Sequence, residues 1–294
     1  MNLLPLLCAK LFAPITALGT ALATISGLPA GPDLTSARPQ LAAMQRPAPV
    51  LTGQASSWPA AGQQFTGTPQ VGALVYQNSD GTPGPRLCSA VAVDSPGGDL
   101  IATAAHCLVG ATVGIGGPLS VAYVPDYQAG KAPYGVWYPT RITVAAQWTA
   151  RQDPDYDLAF LDVTRPRSAV PLEQVTGAER FGGAVSAGTF AVLLGYPDVT
   201  SRPVGCRADI LRESATQLRF DCANYSTGTS GGPLLTGVDP RTGIGTLVGV
   251  IGGYQLGGDS DDVSYADELG PSLTALYHRA AAPDSLPLVL NDAL

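Results

Sequence analysis

The apolar residues of this chain fall into short runs bounded by glycine, proline and small polar residues. These runs span residues 70–76, 88–93, 100–103, 141–145, 158–163, 190–194 and 246–251. Runs of this length between turn residues are typical of β-strands. The sequence Ser-Pro-Gly-Gly at 95–98 separates two of the runs and indicates a hairpin. The pattern therefore predicts a domain made mostly of strands.

One segment near the C-terminus has a different period. Leu273, Leu276 and Tyr277 recur at helical spacing after Pro271, which predicts a helix over residues 272–281. Long helical repeats are almost absent elsewhere in the chain. Many strands followed by one terminal helix predict an all-β barrel or sandwich.

The N-terminal part lacks the strand pattern. Residues 1–30 are apolar with Lys10 as the only charge and contain small-residue cleavage candidates, so we predict an export signal. An uncleaved membrane anchor is the alternative. Residues 31–65 are rich in proline, alanine, glutamine and serine, which predicts a propeptide or linker. The folded domain is predicted over residues 66–281, with a tail at 282–294.

The composition narrows the choice of partners. Apolar residues make up 45% of the chain and charged residues 13%, which argues against a disordered protein. The net charge of -7 and the absence of Lys/Arg runs argue against a nucleic-acid partner. We expect a secreted monomer that has no stable membrane association once the signal is removed.

The cysteines indicate the compartment. Cys8 lies in the apolar N-terminal segment, and the remaining cysteines are Cys88, Cys107, Cys206 and Cys222. An even remainder behind an export signal indicates two disulfides, and short loops favour the pairs Cys88–Cys107 and Cys206–Cys222 among three possible pairings. A zinc site is the alternative, but no Cys-x-x-Cys pair exists and His106 is the only imidazole close in sequence. We expect no metal and no cofactor.

The candidate chemistry lies in three segments that contain His106, Asp157 and Ser230, in that order. A serine hydroxyl is a weak nucleophile until a neutral imidazole accepts its proton, and a carboxylate orients that imidazole. Asp155 is the alternative carboxylate, because residues two apart face the same side of an extended segment. The second histidine, His278, is interpreted as a surface residue of the predicted helix.

The serine lies in a loop that suits oxyanion binding. The sequence at 228–233 is Gly-Thr-Ser-Gly-Gly-Pro. Glycine lets the backbone curl close to a substrate, and backbone N–H groups stabilise the negative charge that forms when a carbonyl is attacked. We predict that the N–H groups of Gly228 and Ser230 are the donors.

These segments resemble the three signature segments of the chymotrypsin/trypsin-like serine peptidases. They read Thr-Ala-Ala-His-Cys at 103–107, Asp-Leu-Ala-Phe-Leu at 157–161 and Gly-Thr-Ser-Gly-Gly-Pro at 228–233, in the order and with the spacing of that family. The resemblance covers residues 66–280. It implies two antiparallel Greek-key β-barrels with the site in the cleft between them, and a disulfide from Cys88 to Cys107 that ties the histidine loop.

The same resemblance implies the activity. It implies a secreted endopeptidase that acts on polypeptide substrates through an acyl-enzyme intermediate. In that reaction His106 is the general base, Asp157 orients it, and Ser230 attacks the carbonyl carbon of the substrate.

The chain departs from the family pattern near the nucleophile. In family members activated by cleavage, an aspartate precedes the serine and pairs with the new N-terminus, whereas this chain has Thr229. We therefore do not expect activation through such an ion pair. Asn224 stands where trypsin-like enzymes carry the aspartate that recognises basic residues, so we do not expect a preference for arginine or lysine.

The strand after the nucleophile bears on specificity. Bacterial glutamyl endopeptidases resemble this chain around the serine but carry a histidine in that strand, and residues 248–254 contain none. We predict that Ile251, Gly252 and Gly253 wall an apolar or shallow pocket. Gly253 or its neighbours are predicted to pair with the substrate backbone as an added strand.

Other functions fit parts of the sequence. An α/β-hydrolase esterase fits the Gly-x-Ser-x-Gly pattern, but it requires the order serine, acid, histidine, with His278 as base, and alternating helices and strands. A peptidase-like protein that only binds is the second alternative. The acidic loop at 258–262 offers oxygens to calcium but lacks the full ligand spacing, so a solvated loop is favoured.

Overall fold

Strands dominate the computed structural model, which describes residues 61–282 except 79, 81 and 110–120. The predicted export signal, nearly all of the predicted propeptide or linker, and the tail from 283 lie outside the described residues, so these boundaries stay predictions. No helix in the described part of the chain combines the length and hydrophobicity that a bilayer crossing requires.

The strands are β1 Gln63–Gln64, β2 Val71–Gln77, β3 Pro83–Val93, β4 Leu100–Ala104, β5 Val121–Pro125, β6 Tyr138–Val144, β7 Leu158–Thr164, β8 Arg180–Phe181, β9 Phe190–Gly195, β10 Val204–Asp209, β11 Leu211–Arg212, β12 Gln217–Asp221, β13 Pro233–Thr236, β14 Thr246–Val250 and β15 Val263–Asp267. The helices are α1 His106–Val109, α2 Ala146–Arg151, α3 Leu172–Thr176 and α4 Pro271–Ala281. Short 3₁₀ turns cover Pro154–Tyr156 and Tyr254–Gly257.

The first half of the domain forms a closed antiparallel barrel. Its sheet has the order β5-β2-β3-β4-β7-β6. The two outer strands meet where Tyr123 and Trp137 exchange two backbone hydrogen bonds of 2.8 and 2.9 Å. Closure removes the exposed strand edges of the sheet.

The second half contains a six-stranded sheet with the order β1-β10-β9-β13-β14-β8 and a three-stranded sheet with the order β11-β12-β15. A bridge between Ile251, just after β14, and Ala266 in β15 joins the two sheets. The sheets curl around their own apolar core and form the second barrel.

Alternation along the strands sorts side chains into separate cores. In β7, Ala159 and Leu161 point into the first barrel, whereas Leu158 and Phe160 face the other side. In the second half, Leu193 points into its barrel. The side chains on the opposite faces form one buried cluster with α4, so the two barrels pack against each other there.

The C-terminal helix closes this central cluster. Leu273, Leu276 and Ala280 are buried on one face of α4, and Tyr277 stacks on Phe181 with ring centroids 4.0 Å apart. The predicted helix over 272–281 is thus confirmed. The predicted fold class, all-β with two antiparallel Greek-key barrels and a C-terminal helix, is confirmed as well.

Candidate active site

His106 lies at the end of a buried strand. β4 ends at Ala104, and α1 begins at His106 after a turn in which the N–H of Ala105 donates to the carbonyl oxygen of Asp157, 3.2 Å away. Ala104 and Ala105 are both buried. A disulfide joins Cys107 to Cys88 in β3 and fixes the chain beside the histidine. The imidazole is therefore held by the strand before it and by the covalent link after it.

Asp157 is completely buried and receives three hydrogen bonds. Its Oδ1 accepts the backbone N–H of His106 at 2.8 Å, and its Oδ2 lies 2.6 Å from His106 Nδ1 and accepts the N–H of Gly253 at 2.9 Å. These contacts replace the water that a buried carboxylate loses. The Asp157–Nδ1 contact assigns the proton to Nδ1, which leaves Nε2 as the acceptor of the imidazole.

The alternative carboxylate, Asp155, has different partners. Its Oδ1 accepts the hydroxyl of Thr216 and the amide of Gln217, each at 2.9 Å. The two aspartates belong to the same turn, but only Asp157 is bonded to His106.

The nucleophile loop is packed against the strand that precedes His106. The carbonyl oxygen of Ser230 accepts the N–H of Ser89 at 2.7 Å, and the N–H of Gly231 donates to Ile251 at 2.7 Å. A Cβ on Gly231 would lie 3.1 Å from the backbone nitrogen of Ala104. No hydrogen bond between described atoms joins His106 to the Ser230 hydroxyl, a contact that is often long without substrate.

The two predicted oxyanion donors differ from the residue between them in the hydrogen bonding of their N–H groups. The N–H of Thr229 donates to Ser226 at 3.2 Å, whereas no described acceptor is bonded to the N–H groups of its neighbours Gly228 and Ser230. The Ser89 hydroxyl donates to the carbonyl oxygen of Gly228 at 3.0 Å and helps to fix that peptide. Gly228 has a φ of +96°, which glycine adopts readily.

Thr229 stands where cleavage-activated members of the family that the sequence resembles have an aspartate. It is buried, its hydroxyl donates to the carbonyl oxygen of Ser226 at 2.8 Å, and its side chain rests on Gly195. The loop is thus held by a hydroxyl and by packing at a position where a carboxylate would need a cation.

The predicted pocket residues occupy two places. Gly252 lies beside Asp157 and Ala104, while the N–H of Gly253 is bonded to Asp157 and is not free to pair with a substrate.

The second place is at Asn224. This residue has a φ of +73°, and its carboxamide donates to the carbonyl oxygen of Gly62 at 3.0 Å. Together with the first described residues it lines a cleft of about 460 Å³. Ile251 is buried and its backbone pairs with the nucleophile loop.

The cysteines pair as the short loops favour, Cys88 with Cys107 and Cys206 with Cys222. Cys88, Cys107 and His106 lie close enough to hold a metal ion. Both sulfurs are shared in the disulfide, however, so they offer no thiolate to a metal.

In the acidic loop at 258–262, the backbone carbonyls of Asp261 and Asp262 already accept N–H groups from the segment 222–225.

Three side chains next to the candidate site were not predicted from the sequence. Ser89 is buried and supports the nucleophile loop, and Gln217 and Asp267 lie behind Asp157. Ser89 directly follows Cys88, which is a weak signal. Gln217 and Asp267 belong to no motif and are 50 residues apart.

His278 is exposed on α4, as interpreted from the sequence.

Two packed β-barrels followed by a C-terminal helix are the fold of chymotrypsin-like peptidases. The family described as trypsin-like peptidase domain matches residues 88–250, more than half of the chain, and the chain belongs to that family. The protein is therefore a serine-type endopeptidase, a hydrolase of peptide bonds. No curated protein sequence matches the chain.

Solved structures agree with the fold. The protease Anisep from Arthrobacter nicotinovorans is 23% identical, with a TM-score of 0.62 over 75% of this chain and 99% of that one. The thermostable serine protease AL20 from an extremophilic microorganism is 23% identical, with a TM-score of 0.60 over 73% and 97%. A Glu endopeptidase is 14% identical, with a TM-score of 0.57 over 75% and 96%.

Proposed function

We propose that this chain is a secreted serine endopeptidase in which His106, Asp157 and Ser230 form the catalytic triad. The observation that carries the proposal is the buried Asp157 carboxylate, bonded to both the ring and the backbone of His106, beside a nucleophile loop packed on the same strand end. The two disulfides support an oxidising, extracellular location. We expect a monomer.

The reaction proceeds in two halves. The Ser230 hydroxyl attacks the substrate carbonyl carbon while Nε2 of His106 takes its proton, and the oxyanion is bound by the N–H groups of Gly228 and Ser230. The C–N bond then breaks, the amine leaves with the proton from His106, and an acyl ester remains on Ser230. Water attacks this ester, His106 accepts its proton, and the return of that proton to Ser230 releases the acid.

The hydrogen bond of Gly253 changes the prediction of which residues pair with a substrate strand. Because the Gly253 N–H donates to Asp157, we assign this pairing to the neighbours of Gly253. Tyr254 and Leu256 follow directly and are exposed apolar side chains. We propose that this segment favours apolar substrate residues, and Asn224 offers no charge to a basic one.

The α/β-hydrolase alternative does not fit an all-β fold with two barrels. The remaining alternative is a peptidase-like protein that binds without catalysis. Labelling of Ser230 by an organophosphonate separates the two, because the reagent reacts with a serine only where an imidazole activates it.

The test compares labelled protein by intact mass. Wild type and the control Ser260→Ala, an exposed serine of the acidic loop, are expected to take one label, and Ser230→Ala none. Asp157→Asn is expected to slow labelling by about 10³–10⁴-fold, because the tautomer of His106 is lost. Labelling requires the neutral imidazole, because only that form can accept the proton of the Ser230 hydroxyl. An unlabelled wild type that also fails to cleave casein would overturn the proposed triad.

A further inference from the structure

A second buried acid lies behind the triad aspartate. Asp267, the last residue of β15, is 3% exposed and stands opposite Gln217 of β12 in the strand register. Its Oδ1 accepts the Gln217 amide at 2.8 Å. Its Oδ2 is buried without an ordinary hydrogen bond to any described atom, and the peptide reaction does not use it.

This acid and Gln217 lie against the peptide that binds Asp157. A Cβ on Gly253 would come within 2.3 Å of Asp267 Oδ1 and 2.4 Å of Gln217 Oε1. Gly253 has a φ of +74°, so both the contact and the conformation require glycine. The Gly253 peptide is therefore enclosed, with Asp157 receiving its N–H on one side and the Asp267–Gln217 pair on the other.

Gln217 connects both chain segments that flank Asp157. Its Oε1 accepts the N–H of Tyr254 at 3.0 Å, and its Nε2 lies 3.1 Å from the carbonyl oxygen of Pro154 and 2.9 Å from Asp155 Oδ1. The first contact fixes the segment after Gly253, and the others fix the turn that ends at Asp157. The two hydrogens of this Nε2 are shared among three oxygens, of which Asp267 Oδ1 is the nearest at 2.8 Å.

The charges around Asp267 have one sign. The turn contributes the carboxylates of Asp157 and Asp155 and a backbone hydrogen bond from Asp157, β12 contributes the neutral Gln217, and the segment at Gly253 contributes backbone. Burial, together with the charges of Asp157 and Asp155, raises the pKa of Asp267 well above its usual range. Two buried carboxylates in one site do not both ionise readily, and Asp157 has the hydrogen bonds that stabilise a charge.

We propose that Asp267 is a positioning residue for Asp157 that acts as a neutral carboxylic acid. It fixes Gln217, and through Gln217 it directs the N–H of Gly253 and the 154–157 turn toward the geometry that holds His106. The inference rests on the proposed function, because its effect is on the triad.

The test uses the pH dependence of Ser230 labelling and peptide hydrolysis. Asp267→Asn keeps the acceptor for Gln217 and carries no charge, so kcat is expected within about twofold of wild type, with the same midpoint of the pH profile. Asp267→Ala removes the acceptor, and kcat and the labelling rate should fall by about tenfold or more with little change in KM. Gln217→Met, which keeps the volume, should give the same loss. Asp126→Asn, a buried acid in the other barrel, serves as a control with unchanged kinetics.

The outcomes separate the two proposals. If wild type takes no label, the proposed function and this inference fail together. If wild type is labelled but Asp267→Ala or Gln217→Met reacts at the wild-type rate, only the positioning role fails. If Asp267→Asn moves the midpoint to lower pH, the acid is charged in the working enzyme and its neutral role is overturned. Should Asp267→Ala not fold, Gln217→Met and the Asp267→Asn profile decide.

Discussion

Gly231 shows how a single residue constrains the nucleophile loop. It has a φ of +78°, and a Cβ there would lie 2.2 Å from both the carbonyl oxygen of Ser89 and the hydroxyl of Thr103. Both groups belong to buried strands that cannot easily yield. Gly231→Ala is therefore expected to lower the free energy of unfolding by about 3 kcal/mol or more. It should also slow labelling of Ser230. Urea unfolding and labelling rates measure the two effects.

The matched control for this change is Gly188→Ala. Gly188 has nearly the same φ, +79°, but no atom lies within 4 Å of a Cβ there. The Gly188→Ala variant therefore has the backbone strain without a steric clash. This strain costs about 1–2 kcal/mol, and labelling of Ser230 should be unchanged. Equal losses in the two variants would show that backbone strain, and not contact with the strands, makes glycine necessary at 231.

Prediction from sequence at this scale depended on motifs. The family pattern favours Asp157 over Asp155 because Asp157 opens the segment Asp-Leu-Ala-Phe-Leu, and in the structure it is the one bonded to His106. Gln217 and Asp267 could not be predicted, since an ordinary glutamine and aspartate become a pair only through the register of β12 and β15. The hydrogen bond from the Gly253 N–H to Asp157 could not be predicted either, because a backbone donor has no sequence signal for its acceptor.

At the scale of elements, the disulfide Cys88–Cys107 ties β3 to the start of α1 over 19 residues. A crosslink closing a loop of this length contributes about 3 kcal/mol by restricting the unfolded chain. The double variant Cys88→Ser/Cys107→Ser is expected to lose about that much stability in urea. Because Cys107 adjoins His106, the labelling rate of Ser230 should fall as well.

The second disulfide provides the comparison. Cys206–Cys222 closes a similar loop, with a sequence separation of 16, away from the histidine. Its removal should cost about the same stability by the same loop-closure argument, with a smaller effect on labelling. Equal effects on labelling would contradict a specific role for the first disulfide in holding His106.

The predicted strands were those with long apolar runs. The runs at 70–76, 158–163 and 190–194 correspond to β2, β7 and β9 within one residue at each end. β12 and β15 were not predicted, because arginine, aspartate and tyrosine interrupt their apolar positions and one face of each is partly exposed. β13 begins with Pro233 and was hidden by the glycines of the nucleophile loop.

At the scale of the whole molecule, the two barrels meet along a seam that contains a buried acid. Glu179 pairs with Ala92 and Asp94 of the first barrel through its backbone, and its side chain accepts the N–H of Gly245 before β14 at 2.5 Å. Its second oxygen is buried without a partner among the described atoms. The two-barrel architecture was predicted from the family resemblance, whereas this seam depends on contacts that no motif encodes.

Burial raises the pKa of Glu179 from 4.5 to about 7. Between these values the folded protein holds a proton that the unfolded chain releases. The free energy of unfolding should therefore fall as pH rises from about 4.5 to about 7, by up to about 3 kcal/mol, and Glu179 should contribute no further change above that range. Glu179→Gln cannot ionise and keeps an acceptor for Gly245, so its stability should fall less over the same pH range.

The difference between Glu179→Gln and wild type isolates this one group, because the other titrating residues are common to both proteins. Urea unfolding at pH 5 and pH 7.5 measures it. We expect the variant to gain stability relative to wild type as the pH rises between these two values. A constant difference would mean that the Glu179 carboxylate is already ionised in the folded protein at pH 5, stabilised by the N–H of Gly245 despite its burial. The seam between the barrels would then tolerate a charge, and pH would not weaken the contact that holds the two halves of the cleft together.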